Sequence, residues 1–233
     1  MREICLDIET TGLDPKKGHK IVEIACIELN NRVKTNNHFH YYVNPRRDMP
    51  QEAFAIHGIS SEFLQDKPIF DHIANKFLDF IKDSKIIIHN AAFDSKFLNH
   101  ELQLMGLPIL NKDNIIDSLM IARKKFPGAP ASLDALCKRY GIDLSKRTLH
   151  GALLDTELLC DVYIELMGGA QENFRFNNKN NNEQKLNNSN ISKLSEKPQK
   201  VTKEIKPSEE DLTNHKKFIL ENFKENLWDY KDS

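Results

Sequence analysis

The sequence predicts an α/β domain built on a mixed β-sheet. Strand-like segments come first, and short apolar strands then alternate with helical segments. At 233 residues the chain has room for one sizeable domain and extensions.

The elements follow in order. Residues 4–9, ICLDIE, set Ile4, Leu6 and Ile8 against Cys5, Asp7 and Glu9, the period of two of a strand with two unlike faces. Both acids fall on one face, their Cα atoms roughly 6.6 Å apart, twice the strand rise. Residues 21–29 and 38–43 read as further strands, joined near Asn30-Asn31 by turn residues. Residues 61–82 predict one helix, with Ile69, Ile73, Phe77 and Ile81 along a face. Residues 85–89 form a short buried strand, and 94–105, 132–140 and 151–167 predict helices.

After Gly168-Gly169 the apolar periodicity stops. Residues 177–190 contain eight asparagines, and the polar character persists to Pro207. Such a stretch cannot bury enough apolar surface to offset its ordering entropy. The organisation expected is a domain over residues 1–170, a flexible linker over 177–207 and a helix over 208–230. Ser208 and Asp211 have capping-box spacing, and Glu209-Glu210-Asp211 suit a helix N-terminus. Leu212, Ile219, Phe223 and Leu227 then recur on approximately one face, with Phe218 and Trp228 beside them. A lone helix of this size is marginal in water, so it is expected to dock.

Composition removes several classes. Lys and Arg number 33 against 34 Asp and Glu, a net charge of −1, which argues against a generic polyanion-coating protein. Basic residues still cluster at 123–125, 138–139 and Lys146-Arg147. The four cysteines form no CxxC pair and read as buried thiols. No apolar run approaches the roughly 20 residues of a membrane span, and with a strand starting almost at Met1 no signal peptide is expected. A soluble protein of a reducing cytoplasm is expected.

The chemistry lies in spaced acids and histidines. In HNAAFD (89–94) an apolar strand ends and Asp94 opens a helix; in LHGALLD (149–155) His150 precedes Asp155 by five positions. That offset is about 140° on a continuous helix, so His150 belongs on the loop leading in. EAFAIHGIS (52–60) sets Glu52 and His57 around an apolar core. Taken singly, each has a bland reading: a surface acid for Asp7 or Glu9, an N-cap for Asp94, a structural role for either histidine. Together, four carboxylates suit hard divalent cations, a pair of which stabilises in-line phosphoryl displacement. A histidine beside them could take a proton from the attacking water.

In this order the motifs resemble the DEDDh exonucleases of the RNase H-like superfamily, and most nearly the proofreading (epsilon) subunits of bacterial DNA polymerase III. DIETTG, NAAFD and HGALLD stand where that family has its three motifs, and ARKKFPG, SLDALCKRYGID and SKRTLHGALLD match epsilon wording. The resemblance implies an RNase H-like exonuclease fold, a mixed central sheet flanked by helices. It implies that Asp7, Glu9, Asp94 and Asp155 bind two Mg²⁺ or Mn²⁺ ions and that His150 is the general base. Thr10 and Thr11 would hold the terminal sugar, and Glu52 and His57 the terminal nucleotide. The reaction implied is release of nucleoside 5′-monophosphates from mispaired DNA 3′ ends during replication.

Residues 171–176, QENFRF, resemble a sliding-clamp peptide anchored by Gln171, Phe174 and Phe176. The C-terminal helix resembles the segment that docks onto the polymerase alpha subunit through Leu212, Phe218, Ile219, Phe223, Leu227 and Trp228. Two other readings stay open, a stand-alone RNA-trimming relative and a scaffold bridging polymerase and clamp.

Overall fold

A computed structural model describes residues 1–145, 147–169 and 207–222. The chain divides into two units, Met1–Asn177 and Asn178–Ser233.

In the first unit, β1 (Arg2–Thr10), β2 (Ile21–Asn30) and β3 (Val33–Tyr42) form an antiparallel meander. Asn31 and Arg32 adopt φ of 50° and 63° in the β2–β3 turn, the left-handed pair a two-residue hairpin requires. That tight turn leaves no slack, so β3 begins at Val33 and not at His38 as expected. Its polar residues 34–38 hid it, because β3 is an edge strand. On the other side of β1, β4 (Lys85–Ile88) and β5 (Ile115–Asp117) add in parallel, giving the order β3-β2-β1-β4-β5. The sheet is mixed, as predicted.

Seven helices accompany this sheet among the described residues: α1 (Gln51–His57), α2 (Ser61–Leu64), α3 (Phe70–Ile81), α4 (Ala91–Leu104), α5 (Ser118–Lys125), α6 (Leu133–Tyr140) and α7 (Ala152–Leu166). The single helix expected over 61–82 is two. Pro68 lacks an N–H and disfavours helical geometry at Lys67, so α2 stops at Leu64 and α3 restarts at Phe70. Residues 51–57, given no element by sequence, form α1. Helix α4 opens at Ala91, which places Asp94 inside its first turn and corrects the reading of Asp94 as a cap.

Alternation along β1 divides two cores. Ile4, Leu6 and Ile8 join Ile24, Phe77 and Phe97 on one face of the sheet. Cys5 joins Leu136, Leu159 and Tyr163 on the other. All four cysteines are free and buried.

In the second unit, α8 (Glu209–Asn222) opens on the expected capping box. The Asp211 N–H donates to Ser208 Oγ and the Ser208 N–H to Asp211 Oδ2, each at 3.2 Å. Leu212 and Phe218 are exposed and Ile219 is buried. Gln171, Phe174, Phe176, Phe223, Leu227 and Trp228 lie outside the described residues, as does the expected linker up to residue 206. Among the described residues no helix is long and apolar enough to cross a membrane.

The Tyr163 hydroxyl donates to Glu3 Oε1 at 2.7 Å in the buried seam between α7 and β1. Tyr163→Phe strands that carboxylate, and a loss of about 1–3 kcal/mol is expected. Urea unfolding checks this: the midpoint should fall at an unchanged m-value, and an unmoved midpoint contradicts the assignment.

Candidate active site

Past residue 5, β1 outruns its partner β4. The Ile8 N–H is therefore left without a strand partner on that side and donates to Asp94 Oδ1 at 3.2 Å. Asn90, at φ 69°, turns the chain out of β4 so that the first turn of α4 delivers Asp94 there. Asp7 and Glu9 stand on the β1 face that α7 covers. Helix α7 starts at Ala152, so His150 is on the preceding loop and Asp155 in the first turn, as expected.

Ligand atoms of Glu9, His150 and Asp155 all lie within 4.8 Å of one another. Asp7, His150 and Asp155 line a groove of about 500 Å³ with Arg123 and His89. On the other side, Glu9, Thr10, Thr11, Glu52, His57 and Phe93 line a pocket of about 480 Å³. A bulge between Glu9 and Thr10, where Thr10 pairs with Ile21, separates the acids from the threonine turn. Both threonine hydroxyls serve that turn: Thr10 Oγ1 donates to the Gly12 carbonyl at 2.7 Å, and Thr11 Oγ1 accepts the Lys20 N–H at 3.0 Å. Gly12 is required here because a Cβ would sit 2.4 Å from the His19 ring. His57 is buried; its Nδ1 accepts the Ile59 N–H at 3.0 Å, and Nε2 has no hydrogen-bond partner among the described residues.

The electrostatics are those of crowded negative charge. Burial, then the charges of Asp94, Glu9 and Asp155, push the Asp7 carboxyl well above the ordinary carboxylate range. Burial and then Asp155, Glu23 and Asp94 raise Glu9 to about 8. Burial raises Asp94 to about 8, against the pull of its backbone hydrogen bonds. Burial lowers His57.

One cation enters this cluster, and sequence reasoning missed it. Arg147 donates from Nε to Asp155 Oδ1 at 2.6 Å, from Nη2 to Asp155 Oδ2 at 2.7 Å and from Nη1 to Asp134 Oδ1 at 2.5 Å. Its Nη2 also lies 2.8 Å from His150 Nδ1, which is itself 3.1 Å from Asp155 Oδ2. Nδ1 cannot accept from Arg147 and donate to Asp155 at once. The available signal was the basic residue eight positions before Asp155.

The donor set fits a hard divalent cation. It is rich in oxygen, partly buried, and holds more negative charge than one guanidinium balances. Chemically, such a site suits phosphodiester hydrolysis. Residues 4–163 match the exonuclease (RNase_T) family, and the chain belongs to that family.

The relatives narrow this. DNA polymerase III subunit epsilon of Rickettsia conorii is 54% identical over 222 residues, 94% of this chain and 95% of the relative. The Escherichia coli K12 protein of the same name is 50% identical over 175 residues, 72% of each chain. Among solved structures, exonuclease X in complex with 5′ overhanging duplex DNA is 27% identical with a TM-score of 0.55, over 71% of this chain and 90% of that one. Identity of this extent places the chain among the DNA polymerase III epsilon subunits.

Glu9 and Asp94 ionise near pH 4 when unfolded and at about 8 when folded. The folded state therefore keeps protons that the unfolded chain releases. The stability this contributes is complete below about pH 4 and is lost as pH rises toward about 8. His57, depressed by burial, acts oppositely only below its unfolded value of about 6.5. Metal-free protein should thus lose melting temperature from about pH 6.5 to 8. Mg²⁺ or Mn²⁺ should restore more at the upper pH. Differential scanning calorimetry checks both, and a cation effect that shrinks with pH contradicts the charge assignment.

Proposed function

We propose that this chain is the proofreading subunit of a replicative DNA polymerase, hydrolysing the terminal phosphodiester of a mispaired DNA 3′ end to release a nucleoside 5′-monophosphate. The observation that carries the reading is the gathering of four acids and one half-exposed histidine from β1, α4, α7 and a loop beside a nucleotide-sized pocket. Exonuclease X, a relative in sequence and fold, has been solved on DNA, which supports DNA as substrate.

Asp7, Glu9, Asp94 and Asp155 would hold two divalent cations, Mg²⁺ or Mn²⁺. When bound, such ions neutralise phosphate charge and activate water. The rest falls to the chain itself. The pocket bounded by the Thr10-Thr11 turn, Glu52, His57 and Phe93 receives the terminal nucleotide, and the free His57 Nε2 can donate to it. His150, its side chain half exposed, faces the water side. With Nδ1–H donated to Asp155, Nε2 is left to take the proton of the attacking water. Arg147 must then release Nδ1. A mismatched end unstacks at lower cost than a matched one, so selectivity needs no reading of base identity.

The domain organisation supports tethering. Gln171, Phe174 and Phe176 would anchor a sliding-clamp peptide. Residues 177–207 would act as linker, and the helix from Ser208, with Leu212, Phe218, Ile219, Phe223, Leu227 and Trp228, would dock on the polymerase alpha subunit. Tethering raises the exonuclease concentration at the primer end.

Two experiments test this. Asp155→Ala and His150→Ala should each cut digestion of a mismatched primer by at least about 10²-fold while the fold persists by circular dichroism. Wild-type rates in either sink that residue's assignment, and faster digestion of a matched RNA oligonucleotide sinks DNA as substrate. Removing residues 208–233 should abolish co-purification with the polymerase and leave digestion of a free oligonucleotide intact. Persistent co-purification would place the docking site elsewhere.

A further inference from the structure

Glu23 is a carboxylate for which the catalytic assignment has no use. It lies in β2 between buried Val22 and Ile24, is 2% exposed, and pairs across the ladder with Glu9. A charge so placed is costly unless fully bonded. Oε1 lies 2.7 Å from His40 Nε2, and Oε2 accepts the backbone N–H of Ala152 at 3.0 Å.

Ala152 is the first residue of α7, and the N-cap Gly151 has no side chain with which to bond that turn. The capping acceptor therefore comes from another element, β2. Other bonds fix the same segment. The His150 N–H donates to the Ile56 carbonyl at 3.1 Å, and Leu149 packs so close to Gly58 that a Cβ there would sit 2.7 Å from Leu149 Cδ1. Thr156 Oγ1 reaches the Ala25 carbonyl at 3.4 Å. Residues 150–156 are thus held by α1 at one end and β2 at the other, and they contain both His150 and Asp155.

We propose that Glu23, oriented by His40, is a positioning residue for the exonuclease reaction. By capping α7 at Ala152 it sets the angle of the turn that carries Asp155 and the length of the tether that carries His150. This rests on the roles given above to those two residues. Glu23 touches no substrate, so its loss should slow turnover more than it weakens substrate binding.

The full chain carrying Glu23→Ala, Glu23→Asp or Glu23→Gln is assayed on single-stranded DNA, with kcat, KM and melting temperature measured separately. Glu23→Ala should lower kcat about tenfold or more with KM within about threefold of wild type. Glu23→Asp keeps the charge but is one methylene short of Ala152, and should fall with it. Glu23→Gln keeps an oxygen for the Ala152 N–H, and its amide NH₂ suits the other tautomer of His40. It should recover kcat to within about threefold. Wild-type kcat in the Ala and Asp variants overturns the proposal, and so does a Gln variant as slow as Ala. If Glu23→Ala does not fold, the contrast between Asp and Gln decides alone. An active Asp155→Ala would remove the underlying reading, whereas normal Glu23 variants beside an inactive Asp155→Ala remove only this proposal.

Discussion

Asp7 and Glu9 project from the face of β1 opposite the one that buries Ile4, Leu6 and Ile8, and much of the domain answers to that alternation. Because successive side chains point to opposite faces, an apolar ridge on one side obliges the acids to gather on the other. There they meet Asp155, and they lie near Asp94, which reaches β1 from the opposite layer through the Ile8 N–H. Like charges brought this close are tolerated in two ways. Some carboxyls retain protons far above their usual range, and a cation stands among them. Glu9 and Asp94 show the first. Arg147 supplies the second.

The surrounding architecture follows from the need to aim those groups. Strand β4 stops short so that one β1 amide stays free for Asp94. The bulge after Glu9 changes register, and Glu9 there borders both the acidic cluster and the pocket that the threonine turn lines. Helix α1 provides a wall of that pocket and, through the Ile56 carbonyl, also holds the histidine loop. The wall of the pocket and the loop that carries His150 are thus joined by a backbone hydrogen bond, with Leu149 packed against Gly58 beside it.

Much of this was legible in the sequence. Period-two alternation named β1 and both of its acids, and the five-residue offset put His150 on a loop ahead of the helix that holds Asp155. What stayed hidden did so for physical reasons. Helices α2 and α3 were read as one because both flanking segments are helical and Pro68 alone marks the break between them. Strand β3 was shortened because an edge strand need not alternate in hydrophobicity where both of its faces are polar. Arg147 read as half of a basic doublet, since nothing local distinguishes a solvated guanidinium from one folded back onto an acid eight residues away. Glu23 left a faint trace, an acid flanked by Val22 and Ile24 in a strand that is apolar apart from Glu28 and Asn30. Its partners, His40 and Ala152, are distant in sequence and no periodicity could supply them.

Arg147 has one further consequence. A chain that folds four acids toward one place faces their mutual repulsion as it does so. The guanidinium on Asp155, steadied by Asp134, offsets part of that repulsion with a charge the chain carries itself. The folded domain therefore carries a counter-charge of its own at Asp155, and the gathering of these acids does not rest wholly on ions drawn from solution.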